Sequence, residues 1–279
     1  MAPTWWCGAV RLDDVGGFVF DVDGTLVHRD GGTAHVVPGA RELLERIKES
    51  GRPFVIFTNG SHLPPAQFAS GLRDVGLPVE DDQMLTPLCS MQAYLGGSRR
   101  RDAKVLPFVT DAAHDYLARE GVNLVDFDHA DAADIVFVAH IDHADLPELE
   151  KAAFAVIGGA RLLTGSYVAA YAGANGPILS RGAMVTAAIA KASGVRPTIV
   201  GKPSKAAVRA VRKALGVPTE QIAVVGDDLF MDVALGHMGG SKTVLVRSGI
   251  SAEIDLSRVP EKRRPHATVT DTSELLDLL

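Results

Sequence analysis

The sequence predicts an α/β fold in which a doubly wound parallel sheet carries an inserted α/β domain. Two observations support this prediction. Short apolar runs alternate with amphipathic helical patterns near both ends of the 279-residue chain, the order typical of a parallel sheet with helices on both faces. The stretch between these ends is long enough for a domain and has its own strand and helix signals.

The N-terminal alternation begins with an apolar run over 17–21, which predicts a buried strand that ends in a carboxylate. A helix is predicted to open at Pro38, and Gly51 stands just past its end, as helix-terminating glycines do. Residues 53–57 are the second predicted strand. A second helix is predicted over 64–75.

The remaining elements complete this pattern. Near the C-terminus we predict a strand over 198–200, a helix capped by Ser204 that ends at Gly216, and strands over 222–225 and 243–246. In the middle we predict strands over 104–108, 134–139 and 161–164, helices over 111–120 and 146–157, and a loop over 172–177. These elements predict a core domain of residues 1–81 and 195–279 and an inserted domain of residues 82–194.

The composition excludes several classes of protein. Hydrophobic residues make up 47% and charged residues 22% of a chain with net charge -6, which is typical of a globular protein. The basic runs 99–101 and 262–264 are too short to predict a nucleic-acid surface. Neither a signal peptide nor an apolar run long enough to span a membrane is recognisable. The two isolated cysteines, Cys7 and Cys89, favour a reducing cytoplasm.

Polar motifs follow several of the predicted strands, at the end of a parallel sheet where ligands bind. The motifs are Asp21-Val22-Asp23-Gly24-Thr25, Thr58-Asn59-Gly60, Gly201-Lys202-Pro203-Ser204, and Gly226-Asp227-Asp228 with Asp232 four residues further on.

Phosphoryl transfer is the chemistry that this set of residues favours. Asp21 can attack phosphorus, because aspartate forms acyl-phosphates. Asp23, two residues on, can give a proton to the leaving oxygen and later take one from water. Thr58 and the backbone near Asn59 can hold phosphoryl oxygens. Gly24 lets the chain turn sharply beside a substrate.

The negative charge on a phosphoryl group needs compensation. A divalent cation bound by Asp21 would also hold that carboxylate ionised, and Asp227 and Asp228 offer further hard oxygen ligands. Mg²⁺ suits such a set, since it prefers carboxylate, carbonyl and water oxygens. Lys202 adds a fixed positive charge.

The four motifs together resemble the haloacid dehalogenase (HAD) superfamily of phosphatases, and in particular its NagD-like, 4-nitrophenylphosphatase-like branch. The resemblance covers the core well and the inserted domain loosely. It implies a core of the Rossmann-like type with a cap domain between the second and third motifs, which is where the middle stretch lies. It also implies a small phosphorylated metabolite as substrate, and caps of this type often form homodimers.

The resemblance assigns a role to each motif residue. Asp21 is implied as nucleophile and metal ligand, Asp23 as acid/base and as a metal ligand through its carbonyl, and Asp227 as the third protein ligand. Thr58, Asn59 and Gly60 are implied to bind phosphate, Lys202 to hold Asp21 and the phosphoryl group, and Asp228 and Asp232 to support the site.

Several alternatives stay open from the sequence. A phosphomutase of the same superfamily would also need Asp23, and a non-catalytic sensor of phosphate ligands would keep the fold without the chemistry. Asp228 and Asp232 are also explained by a helix N-cap and a first-turn charge that the helix dipole favours.

The inserted domain departs from the family pattern where substrate contacts are expected. A Gly-x-Asp is common after the central cap strand, but this chain has Ala139-His140-Ile141-Asp142-His143. His140, Asp142 and His143 are candidates for substrate contact or for a surface role. Lesser candidates are Tyr167, Tyr171 and Arg181, together with Trp5 and Trp6 as a packed N-terminal arm.

Overall fold

The computed structural model of the chain describes residues 11–30, 33–97, 100–173 and 176–279. Trp5, Trp6, Cys7 and Arg99 lie outside these residues. The strands are β1 (Gly17–Phe20), β2 (Val27–Asp30), β3 (Thr33–Val36), β4 (Phe54–Phe57), β5 (Met84–Leu85), β6 (Val105–Phe108), β7 (Ile135–Val138), β8 (Arg161–Thr164), β9 (Ala170–Gly173), β10 (Gly176–Leu179), β11 (Thr198–Ile199), β12 (Ile222–Gly226), β13 (Lys242–Val246) and β14 (Ala267–Val269).

The α-helices are α1 (Ala40–Glu49), α2 (Pro65–Asp74), α3 (Pro87–Leu95), α4 (Asp111–Arg119), α5 (Leu146–Ile157), α6 (Arg181–Ser193), α7 (Lys205–Leu215), α8 (Ala234–Gly239) and α9 (Thr272–Leu275). Short 3₁₀ segments cover Asp81–Gln83, Phe127–Ala132, Thr219–Gln221, Leu256–Arg258, Glu261–Arg263 and Leu276–Leu278, and a π-helical turn covers Leu229–Val233. Within the described ranges, every helix is too short or too polar to cross a membrane.

The chain divides into two compact units. The first contains the chain up to Ile56, Leu72–Pro78 and Arg212–Leu279, and the second contains Phe57–Gly71 and Val79–Val211. The second unit therefore includes the predicted inserted domain and, beyond it, the segments 57–71 and 195–211. Which residues act as catalytic core and which as substrate-selecting cap stays a prediction.

The first unit is built on a parallel sheet with the strand order β14-β13-β12-β1-β4. β1 is buried along its whole length, as its run of four apolar or small residues predicts. Its neighbours on the two sides are β12 and β4, which come from opposite ends of the sequence. The predicted α/β class with parallel strands is confirmed.

Helix α1 shows how the sequence pattern builds this unit. Its buried residues Leu43, Leu44 and Ile47 recur at helical spacing, so that one stripe of the helix is covered. Burial of each such side chain contributes about 1.5–3 kcal/mol. The helix begins after Gly39, whose φ of 81° favours glycine, and a Cβ there would lie 2.6 Å from the Cα of Ser273.

The second unit contains a four-stranded parallel sheet with the order β11-β8-β7-β6. Alternate residues of β7 point to opposite faces: Ile135 and Phe137 pack in one apolar cluster with α3 and α4, and Val136 and Val138 in another with α5 and α6. This sheet has helices on both faces, as predicted.

The predicted loop over 172–177 is wrong at 172–173 and 176–177, where β9 and β10 pair antiparallel with Tyr171 opposite Ile178, while 174 and 175 lie outside the described residues. The strands are short and rich in alanine and glycine, which lack the β-branched signal of a strand. A second hairpin, β2 with β3, pairs Val27 with Val36 and was also missed. Its alternation is weak, since polar residues occupy most of both arms.

Candidate active site

Three carboxylates gather at the carboxyl ends of two neighbouring strands. In the parallel pair of β1 and β12, Phe20 lies opposite Val225, so the residues that follow both strands leave the sheet at the same edge. The N–H of Asp21 donates to the carbonyl of Val225 at 2.9 Å. One carboxylate oxygen from each of Asp21, Asp227 and Asp232 lies within 4.8 Å of the others.

This carboxylate group is poorly hydrated. Asp227 is 6% and Asp232 2% exposed, and Asp21 is half-buried. Like charges held this close in a buried place repel one another unless a cation or a proton offsets them. Three hard oxygen donors at this spacing fit a divalent cation such as Mg²⁺. The group can therefore bind a metal ion.

The loop after β13 holds Asp227 in place. The N–H of Ile250 donates to Oδ2 of Asp227 at 2.7 Å, and the N–H of Ser251 donates to the Asp227 carbonyl at 3.2 Å. The hydroxyl of Ser251 in turn accepts from the N–H of Leu229 at 3.0 Å. Sequence reasoning missed this loop. In the sequence, this loop is marked by one glycine and two serines that follow β13, a third strand of the same sheet.

Two glycines make room for the Asp227 carboxylate. Gly24 has a φ of 79°, and a Cβ there would collide with Oδ2 of Asp227. A Cβ on Gly249 would collide with the same oxygen. Ser248 joins the two loops by donating its hydroxyl to the carbonyl of Gly24 at 2.8 Å. The predicted turn at Gly24 thus also provides space around a candidate metal ligand.

Asp228 and Asp232 have different roles in the structure. Oδ1 of Asp228 accepts from the N–H groups of Phe230 and Met231 at 2.7 and 3.2 Å, so this side chain caps the π-helical turn, as the helix-cap alternative predicts. Asp232 lies one turn further on, and its Oδ2 accepts from the Asp228 N–H at 3.1 Å. The sequence predicted a supporting role for Asp232, whereas the structure groups its carboxylate with the candidate ligands.

The predicted acid/base, Asp23, points to a different partner. Its Oδ1 accepts from Nε of Arg29 at 2.6 Å, and both side chains are about half exposed. Arg29 lies on β2, and the Gly24 N–H donates to the Val27 carbonyl at 2.8 Å, so the strand and the loop are joined. Asp23 is outside the three-carboxylate group, and its side chain is held by Arg29.

Lys202 and Asn59 lie together in the second unit. The N–H of Lys202 donates to Oδ1 of Asn59, and Nδ2 of Asn59 donates to the Lys202 carbonyl, both at 2.8 Å. Nζ of Lys202 donates to the carbonyl of Phe57 at 2.6 Å, and the side chain is 3% exposed. These contacts fix the buried ammonium beside the chain that leads into Thr58. Lys202 is therefore not a solvated surface lysine.

The predicted phosphate-binding residues form a short turn after β4. Thr58 is buried, its N–H donates to the carbonyl of Leu85 at 3.2 Å, and its hydroxyl accepts from the N–H of Gly60 at 3.0 Å.

The predicted N-cap of helix α7 is confirmed. The Ser204 hydroxyl accepts from the N–H of Ala207 at 3.0 Å, so α7 begins where expected.

The cap candidates fall into two groups. Asp142 accepts from Arg181 at 2.9 Å and lies 3.7 Å from Nε2 of His140, so three of the candidates form one cluster. Tyr167, Tyr171 and His143 are exposed, and none of them belongs to this cluster. His62, which the sequence did not single out, has its ring 5.6 Å from that of His140.

Comparison with family models identifies two matched segments. Residues 18–123 match a haloacid dehalogenase-like hydrolase model, and residues 199–275 match a HAD-hydrolase-like model. The first segment includes the Asp21 and Thr58 motifs, and the second includes Lys202 and the Asp227 motif.

Full-length relatives extend this similarity. The chain is 30% identical to the ribonucleotide monophosphatase NagD of Escherichia coli over 87% of this chain and 91% of that protein. It is 25% identical to the dihydroxyacetone phosphatase of Corynebacterium glutamicum over 93% and 90% of the two chains. Among solved structures, the 4-nitrophenylphosphatase of Thermotoga maritima superposes with a TM-score of 0.83 at 28% identity, covering 95% of this chain and 98% of that one.

Proposed function

The chain belongs to the haloacid dehalogenase-like hydrolases and is a phosphatase of that family, and on this premise we propose that it is a Mg²⁺-dependent phosphomonoester hydrolase that forms an aspartyl-phosphate on Asp21. The observation that carries the proposal is the group of Asp21, Asp227 and Asp232, whose carboxylate oxygens lie within 4.8 Å of one another. The substrate we propose is a small phosphorylated metabolite, the class to which the named substrates of the relatives belong.

The metal would be held by the carboxylates of Asp21, Asp227 and Asp232, with the Asp23 carbonyl as the ligand that the family resemblance adds. When bound, Mg²⁺ supplies positive charge to the phosphoryl oxygens and keeps Asp21 ionised. The N–H of Ile250 and the two crowded glycines around Asp227 keep that carboxylate from turning away.

The first half-reaction transfers the phosphoryl group to the enzyme. A carboxylate oxygen of Asp21 attacks phosphorus and forms a new P–O bond, while the bond from phosphorus to the ester oxygen breaks. Asp23 donates its proton to the departing oxygen, which leaves as an alcohol. Arg29 orients the Asp23 carboxylate between turnovers.

The second half-reaction regenerates Asp21. The Asp23 carboxylate takes a proton from water, and the water oxygen attacks phosphorus on the side opposite Asp21. The P–O bond to Asp21 breaks, inorganic phosphate leaves, and both aspartates return to their starting protonation states. Thr58, Asn59 and Gly60 are proposed to hold the phosphoryl oxygens, and Lys202 to neutralise charge that develops on them.

A phosphomutase and a non-catalytic sensor are the rival functions. The mutase would return the phosphoryl group to a sugar, and the sensor would bind phosphate esters without turnover. Location in the cytoplasm, the absence of nucleic-acid and membrane partners, and a homodimeric state stay predictions from the sequence and the family.

Phosphate release from p-nitrophenyl phosphate, with Mg²⁺ or with a chelator, tests the proposal. We expect turnover only with Mg²⁺, and we expect Asp21→Asn to abolish it in a folded protein. The matched control is Asp255→Asn, which changes an exposed capping aspartate in the same unit. No turnover of any ester in a broad panel would support the sensor, and turnover by Asp21→Asn would exclude Asp21 as nucleophile.

A further inference from the structure

The chain continues from the proposed phosphate-binding turn straight into a cluster of polar side chains. Ser61 follows Gly60, is buried, and its hydroxyl accepts from the N–H of His140 at 3.0 Å. This bond ties the turn to the end of β7. Ser61 is the third residue after Thr58, so the two Cα atoms are at most about 11 Å apart.

Ring contacts make a second link between the turn and the same cluster. A Cβ on Gly60 would lie 3.0 Å from Cζ of Phe68 and 3.3 Å from the Thr58 hydroxyl, so Phe68 packs closely against the turn. The ring of Phe68 lies 4.9 Å from that of His62, edge to face, and the ring of His62 lies 5.6 Å from that of His140. The two imidazoles are therefore positioned by the phosphate-binding segment itself.

An ion pair completes the cluster. Arg181 donates to Oδ1 of Asp142 at 2.9 Å, and the same oxygen lies 3.7 Å from Nε2 of His140. The side chain of Asp142 is 72% and that of Arg181 57% exposed, so both can exchange their mutual contact for a ligand. Such an exposed pair contributes at most about 1 kcal/mol to stability, so exchanging it for contacts to a ligand costs little.

The position of Arg181 is fixed by close packing. It is the first residue of α6, and the next residue, Gly182, lies so near the end of β7 that a Cβ there would collide with the carbonyl of Ala139. Ala139 immediately precedes His140. Helix α6 and β7 therefore meet at the point where Arg181 and His140 leave their elements.

We propose that His62, His140, Asp142 and Arg181 form a subsite for the leaving group, and that this group carries hydroxyls, as in a sugar or polyol phosphate. The proposal rests on the proposed phosphatase function. A phosphoryl group held at Thr58 and Gly60 places the carbon skeleton of the leaving group within reach of the cluster. Asp142 accepts from hydroxyls, whereas Arg181 donates to them and the imidazoles can do either. Because Asp142 already neutralises Arg181, the cluster is not suited to a second anionic group.

The test compares three substrates: glycerol 3-phosphate, phosphoglycolate and p-nitrophenyl phosphate. They share the phosphoryl group, but the first offers hydroxyls, the second a carboxylate and the third an aromatic ring. The variants are Asp142→Asn, Arg181→Ala and His140→Ala. The matched control is Asp128→Asn, which breaks the exposed 3.0 Å ion pair with Lys151 in the same unit.

We expect kcat/KM for glycerol 3-phosphate to fall about tenfold or more in the subsite variants, the effect of losing a hydrogen bond to a charged group. Most of the fall should come from KM. Activity toward p-nitrophenyl phosphate should change less than about twofold, and the control should change neither.

Three results would overturn the inference. An equal loss on all substrates would assign the cluster a structural role. Preference of the unaltered enzyme for phosphoglycolate, with that preference lost in Arg181→Ala, would identify an anion subsite. Unchanged kcat/KM for every substrate in all variants would remove the subsite while the phosphatase function stands. If the unaltered enzyme hydrolyses no ester at all with Mg²⁺, the proposed function fails first and the subsite fails with it.

Discussion

Two groups of charged side chains, one in each unit, are held in contrasting ways. In the first unit, Asp227 and Asp232 are buried, and glycines leave room for their carboxylates and for nothing larger. In the second unit, Asp142 and Arg181 form a pair that is more than half exposed. Tight packing suits a group whose geometry must stay constant through a reaction, whereas an exposed pair suits a surface that exchanges ligands. The contrast shows that close packing holds the candidate metal ligands, whereas the proposed subsite is held by an exposed ion pair.

The largest effect is expected from removing the predicted proton donor, Asp23. Asp23→Asn should slow hydrolysis of an alkyl phosphate by about 10²–10⁴-fold, because a poor leaving group needs a proton. An aryl phosphate such as p-nitrophenyl phosphate should lose much less, since its leaving oxygen departs unprotonated. The measurement is kcat for both esters.

Asp13→Asn is the matched control for Asp23, since Asp13 also forms an exposed ion pair with a nearby arginine of the first unit, Arg11, at 2.7 Å. It should leave both rates unchanged. An equal loss on alkyl and aryl esters in Asp23→Asn would contradict the proton-donor role.

The second prediction tests whether the close packing around the Asp227 carboxylate matters for activity. Gly24→Ala and Gly51→Ala place the same side chain at similar positive φ, 79° and 71°, so both should lose about 1 kcal/mol of stability to backbone strain. A Cβ on Gly51 meets nothing within 4 Å, whereas one on Gly24 collides with the Asp227 carboxylate.

Only Gly24→Ala should therefore lose activity, by about tenfold or more, because a ligand displaced by about 1 Å weakens catalysis strongly. The check is phosphate release alongside thermal unfolding of both variants. Equal activity in the two proteins would show that the close approach of Gly24 to Asp227 does not affect catalysis.

The smallest predicted effect concerns pH and stability. Partial burial, then the nearby charges of His237 and Lys242, lower the pKa of His266 below its ordinary value near 6.5. Its Nδ1 accepts from the N–H of Thr243 at 3.1 Å, a bond that only the unprotonated ring can form. The stabilising contribution of His266 is therefore complete above pH 6.5 and is lost as the pH falls through the lowered pKa of this ring.

His129 in the second unit should behave in the opposite sense. A hydrogen bond and the charge of Asp126 raise its pKa, so any contribution is present below pH 6.5 and is lost as the pH rises. In the unaltered protein, loss of the bond between His266 and Thr243 should lower the thermal unfolding midpoint as the pH falls from 8 to 5. We expect His266→Asn to make this decrease smaller, by less than about 4 °C, and His129→Asn not to make it smaller. Identical pH profiles for the unaltered protein and His266→Asn would contradict this.

Much of the fold could be predicted because strands and helices here obey their simple periodicities. The structure gives α5 and β8 the predicted bounds, Leu146–Ile157 and Arg161–Thr164. The hairpins β2–β3 and β9–β10 could not be predicted, since their four-residue arms are rich in polar or small residues and show no sustained alternation of apolar and polar positions.

The candidate site was predictable where it follows a strand and less so elsewhere. Asp21 and Asp227 follow β1 and β12 directly, so topology alone brings them to one edge. Asp232 joins them through a π-helical turn, whose wider spacing a sequence pattern of period 3.6 does not reveal. Ile250 contacts Asp227 through its backbone N–H, and His62 lies beside His140 because of its packing on Phe68, so no side-chain pattern in the sequence reveals either contact.

The most direct test of the account is calorimetric titration of Mg²⁺ into the unaltered protein, Asp227→Asn, Asp232→Asn and Asp255→Asn. We expect one ion to bind the unaltered protein and Asp255→Asn equally, and both Asp227→Asn and Asp232→Asn to bind it at least about tenfold more weakly, because each removes one carboxylate from the group. Equal Mg²⁺ affinity in all four proteins, or no binding by any of them, would contradict the assignment of these carboxylates as metal ligands.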